Sequence, residues 1–147
     1  MAFENGPYLQ AAVFCQDVIE DKSGALSLIR LIDTLTHAPE MTDPPKEMPP
    51  INWNWKLVVT MKAGKLRGRH EVKMVPQLPS GETRPPLVMQ AYFEADEQGQ
   101  NLIADMRFTF ALEGVYWFAV YFDDDLLTKL PFRVKYMPVR ITAGPAE

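Results

Sequence analysis

Alternation of apolar and polar residues with a period of two recurs along most of this chain. Such a pattern buries one face only as a β-strand, because successive strand side chains point to opposite sides. The clearest run covers residues 102–112. There Leu102, Ala104, Met106, Phe108, Phe110 and Leu112 fall on one side, and Ile103, Asp105, Arg107, Thr109 and Ala111 on the other. A second file, Trp53, Trp55, Leu57, Val59 and Met61, is opposed by Asn54, Lys56, Thr60 and Lys62, with Val58 alone breaking the polar side. Further strands are predicted over residues 8–19, 69–76, 87–95, 115–123 and 126–137, where aromatic and β-branched residues concentrate between turn signals. Residues 26–36 fit a helical stripe as well as a strand, and the neighbouring strands favour a strand.

Turns are expected at residues 63–65, as a hairpin, at 97–101, and at Asp123-Asp124-Asp125, where Asp tolerates turn backbone angles and bonds locally. Of the 13 prolines, five lie in residues 38–51 and four in 76–86. Proline cannot donate to a sheet ladder, so these are two extended loops. Neither separates two stretches long enough for separate cores, and residues 1–147 are expected to form one domain.

The string Phe108-Thr109-Phe110-Ala111-Leu112-Glu113-Gly114-Val115-Tyr116-Trp117-Phe118 resembles the E-strand, corner and F-strand of immunoglobulin-like domains. The resemblance implies that Tyr116 is a corner tyrosine whose hydroxyl returns to the backbone, that Phe118 stands where those domains carry a core cysteine, and that Trp55 plays the buried strand-C tryptophan. The whole layout also resembles small uncharacterised bacterial β-sandwich proteins, which implies a fold and no activity. The expected fold is all-β: a two-layer antiparallel sandwich, immunoglobulin-like, of seven to nine strands, with Tyr116, Phe118, Phe108, Phe110, Trp55 and Leu57 in its core.

Several chemistries lack their residues. None of the three serines sits in a Gly-x-Ser-x-Gly turn, and Gly64-Lys65-Leu66-Arg67-Gly68-Arg69 lacks the Gly-Lys-Ser/Thr ending of a phosphate-binding loop. Two distant histidines, His37 and His70, and one cysteine, Cys15, give no metal-ligand spacing, so no metal or cofactor is expected. The single cysteine excludes an internal disulfide and suits a reducing cytoplasm. No signal peptide or membrane span is expected. A net charge of −4 is not that of a general nucleic-acid coat. The chain therefore reads as a non-enzymatic binding or structural module. The alternative is a small-molecule-binding protein or hydrolytic enzyme with a site built from loop residues.

Two surface sites stand out. If Tyr116, Phe118, Val120 and Phe122 point inward, then Val115, Trp117, Ala119 and Tyr121 form an outward apolar stripe. Such a stripe suits self-association, as in a homodimer, or contact with a protein partner. Lys62, Lys65, Arg67, Arg69 and Lys73 form a basic cluster offset only by Glu71, so residues 62–73 carry +4 while the rest carries −8. That cluster is a weak anion-binding candidate, and a solvated, charge-protected hairpin explains it as well.

Overall fold

The long alternating runs become long strands. The structure, a computed structural model, describes residues 3–142, which form eleven strands and no helix. In chain order these are β1 (Tyr8–Glu20), β2 (Leu26–Leu31), β3 (Thr34–His37), β4 (Glu40–Met41), β5 (Ile51–Lys62), β6 (Gly68–Gln77), β7 (Leu87–Phe93), β8 (Gly99–Phe110), β9 (Gly114–Phe122), β10 (Asp125–Tyr136) and β11 (Val139–Arg140). One layer is a four-stranded sheet of order β2-β1-β5-β8, and the other a five-stranded sheet of order β3-β10-β9-β6-β7. The nine strands of the two layers make an all-β, two-layer sandwich. The orders β1-β5-β8 and β10-β9-β6-β7 correspond to A-B-E and G-F-C-C′ of immunoglobulin-like domains.

Several sequence expectations need correction. The sandwich is not wholly antiparallel: β3 runs parallel to β10, and β4 pairs parallel with β11 in a small ribbon. Parallel pairing needs a long connection rather than a hairpin, and most of the chain separates these partners. Residues 26–36 do not form a single strand: the chain passes from one sheet to the other at Ile32 and Asp33, so β2 and β3 belong to different layers. Residues 63–67 likewise join β5 to β6 across the layers and are no hairpin. Trp55 is buried, but on β5, the B-like strand, in the sheet opposite β9 rather than on a strand-C equivalent. Leu112 lies beyond the end of β8 and is 42% exposed.

The core between the layers is aromatic. Phe14, Trp55, Phe110, Phe118 and Phe132 are all buried, and Trp55 stacks on Phe132 with ring centroids 5.4 Å apart. Phe118 stands edge-on to Phe14 at 5.0 Å and to Trp55 at 6.1 Å, so aromatic contact ties the B-like and F-like strands that antibody domains join by a disulfide. Both proline-rich loops contribute to this core, through Met48 and Leu78. Two prolines lie inside strands. Pro131 of β10 lies outside the register with β3, and Pro76 of β6 outside the register with β7, so neither is needed as a donor toward a strand on its second side.

Candidate functional site

Strand β9 occupies the middle of the five-stranded sheet. Tyr116, Phe118, Val120 and Phe122 are buried inward, so the two-residue period turns Val115, Trp117, Ala119 and Tyr121 outward. Trp117 is 38% exposed, and the other three are half-buried. Register sets their neighbours: Trp117 lies between Pro131 and Gln77, Ala119 between Lys129 and Val75, and Tyr121 between Leu126 and Lys73. The Lys129 ammonium stands over the Trp117 ring, 5.3 Å from its centroid, a cation–π contact.

The entry to β9 is fixed locally. Tyr116 Oη donates to the Leu112 carbonyl at 2.7 Å and accepts from the Leu112 N–H at 3.2 Å. Burial pushes the Tyr116 phenol above its usual range, although the Leu112 N–H bond pulls the other way. Gly114 has φ of 129°, and a Cβ there would sit 3.0 Å from Pro79, so a side chain would be strained in conformation and would press on the proline ring. The exit is a two-residue hairpin turn at Asp123 and Asp124, with φ of 45° and 72°, the mirror-image geometry that matches strand twist.

The neighbouring strand adds a feature that the sequence reading missed. Leu130, Phe132 and Val134 of β10 are buried, which turns Lys129, Arg133 and Lys135 outward, all exposed on the same face as Trp117. Among the described residues none of these three cations is ion-paired. The signal was the alternation itself: a strand read for its apolar half carries equal information in its polar half.

The basic cluster does not converge. Lys62 ends β5 in the four-stranded sheet and Lys65 and Arg67 lie in the crossing, whereas Arg69 and Lys73 belong to β6 in the five-stranded sheet. Arg67 is bound to the Asp96 carboxylate and to the Gly64 and Leu66 carbonyls. Lys73 is paired with Asp124 at 2.7 Å and lies 3.8 Å from Glu71. Only Arg69 and Lys73 of the five share the Trp117 face.

His70 sits between these groups. Its Nδ1 meets the Asp123 carboxylate, its Nε2 meets the Arg67 carbonyl at 2.9 Å, and its ring stacks on Phe122 at 5.0 Å. The Arg67 carbonyl only accepts, so Nε2 carries a hydrogen, and a proton on Nδ1 would be shared with the Asp123 carboxylate. Burial opposes a charged ring, but the Asp123 and Arg67 bonds outweigh it and hold the His70 pKa above its ordinary value. Among the described residues no three His, Cys, Asp or Glu side chains are grouped to hold a metal ion. Cys15 is fully buried outside the inter-sheet core, and burial, with Asp17 nearby, pushes its thiol up.

The class this geometry defines is an immunoglobulin-like β-sandwich with an open, aromatic and cation-lined sheet face. Residues 10–135 match the family described as "Family of unknown function (DUF6941)", and the chain belongs to that family. No curated protein matches the chain. Among solved structures it is similar to the crystal structure of an immunoglobulin-like protein (PA1606) from Pseudomonas aeruginosa, at 12% identity and a TM-score of 0.42, covering 88% of this chain and 97% of that one.

Proposed function

We propose that this protein is a non-enzymatic binding module whose outer face, formed by Val115, Trp117, Ala119 and Tyr121 of β9, docks a protein partner. One observation carries the reading. A tryptophan at the middle of the central strand is left 38% exposed on the outer sheet face, beside three cations that make no ion pair among the described residues. Aromatic residues concentrate in the hot centres of protein contacts, and the surrounding charge sets partner choice. The Tyr116–Leu112 bonds support reading Gly114, Tyr116 and Phe118 as counterparts of an immunoglobulin F-strand corner, which would hold Trp117 outward.

The charges favour a different protein over a second copy. A twofold self-contact brings two copies of the Lys129, Arg133 and Lys135 row into one interface, which like-charge repulsion disfavours. A lysate of the source organism passed over immobilised protein tests the reading. The wild type is expected to retain a partner, released by moderate salt, that the Trp117→Ala, Tyr121→Ala double variant loses. Equal recovery on both baits refutes it.

A further inference from the structure

The four-stranded sheet ends at β8. This twelve-residue strand pairs with β5 along its whole length and, among the described residues, has no strand on its other edge. The backbone groups on that edge are therefore not taken up by the sheet, a condition that folded proteins cover, charge or use. β7 and β8 leave a common turn and enter different sheets, held together only near it, where the Gln100 side chain accepts from the Tyr92 N–H at 3.0 Å. Away from the turn, a cleft of about 600 Å³ opens between the far part of β8 and residues 84–87. Met74, Leu87, Met106 and Phe108 line its apolar part, and Arg84 and Arg107 stand beside them.

Three properties of this cleft select an occupant. Its apolar lining calls for apolar side chains. Its β8 wall is a strand edge, which a hydrocarbon chain would leave unpaired and an extended backbone would satisfy. Its opposite wall carries Pro85 and Pro86, which have no N–H, so a ladder can form toward β8 rather than toward that wall. The charge nearby is available to a ligand: Asp105 is committed to Lys56, whereas Arg107 has no ion pair among the described residues and Arg84 holds only the exposed Glu82.

We propose that this cleft binds an extended, acidic segment of a partner protein as a fifth strand on β8. Alternate apolar side chains of the segment enter between the layers, and its carboxylates meet Arg107 on the outer side of β8 and Arg84 on the opposite wall. The site lies between the two sheets and is independent of the Trp117 face.

The probe is an acetylated octapeptide of alternating Val and Thr with Glu at each end, titrated into the isotopically labelled full chain. Saturable binding is expected, with hydrogen exchange slowed about tenfold at the alternate amides of residues 104–110 that face away from β5. Arg84→Glu with Arg107→Glu is expected to weaken binding at least about tenfold. Ala111→Trp, at an exposed position that should not disturb folding, fills the cleft and is expected to abolish it. The proposal is overturned by any of four results. These are binding that leaves β8 exchange unchanged, equal binding of a version with Pro at every second position, β8 protection that rises with protein concentration without peptide, and occupancy by laurate but not by the peptide.

Discussion

Tyr116→Phe deletes one oxygen and leaves the buried ring in place, so its cost isolates the two bonds to Leu112. Those bonds are 2.7 and 3.2 Å long and close a loop of four residues at the entry to β9. A net 0.5–1.5 kcal/mol per bond puts the pair at about 1–3 kcal/mol. Leu112 is 42% exposed, so water can replace part of what its backbone loses, which places the expected cost at about 1–2 kcal/mol. For a chain of this size that corresponds to a melting temperature lower by about 2–8 °C. In urea, with a slope of about 2 kcal/mol/M, the midpoint should fall by about 0.5–1 M at unchanged slope. Chemical unfolding followed by fluorescence reads both quantities. An unchanged midpoint would mean that the hydroxyl bonds contribute nothing net, and the account of how β9 is anchored would be wrong.

Other expectations follow from the same geometry. His70 should titrate above its ordinary value in an NMR titration. Because its folded pKa is raised, its contribution is complete below the unfolded value and is lost as pH rises through the folded one. The stability gap between wild type and His70→Gln should therefore be widest in mild acid and narrow toward alkaline pH. A gap that widens with rising pH would contradict a raised His70 pKa. Gly114→Ala must accept a positive φ and press on Pro79 3.0 Å away, costing about 1–3 kcal/mol by urea unfolding; a neutral result would refute the packing described there. Phe118→Ala, which removes the ring contacting Phe14, Trp55 and Phe132, should cost about 3–5 kcal/mol, and a loss below 1.5 would show that the inter-sheet aromatic cluster is not central.

What the sequence made legible was whatever period two controls. β5 and β8 were readable because one side of each is nearly all apolar and the other nearly all polar. Val58, the one misfit, is fully buried opposite Val13 and on the same outward side of the four-stranded sheet as the buried Cys15, so the break in pattern marked a real second buried patch. The division of residues 26–36 into two strands was not readable, since both halves are apolar enough for either sheet and only the layer crossing at Ile32 and Asp33 separates them. The basic cluster misled for the same reason. Neighbours in sequence between 62 and 73 are separated in space because the chain changes sheets within that stretch. Their true partners are remote: Asp96 lies 29 residues from Arg67, Asp123 lies 53 from His70, and Asp124 lies 51 from Lys73.

That pattern of pairing is the argument for where binding occurs. Four cationic side chains, Lys56, Arg67, His70 and Lys73, are each held by a carboxylate of another strand or turn. The chain has 19 acidic residues against 15 basic ones, so carboxylates are not scarce. Yet on β10 three cations stand in a row with none assigned to them among the described residues, beside Trp117, the most exposed of the three tryptophans. Asp33 adjoins them, its backbone carbonyl accepting from the Arg133 N–H at 3.0 Å, yet its carboxylate makes no ion pair with the row. Removing it should therefore be nearly neutral for folding and costly only for association. Lys129→Glu, Arg133→Glu and Lys135→Glu together are expected to shift the unfolding midpoint little while abolishing retention of the partner held by the Trp117 face. If the triple variant instead unfolds readily, the row is structural and the binding face must be sought elsewhere.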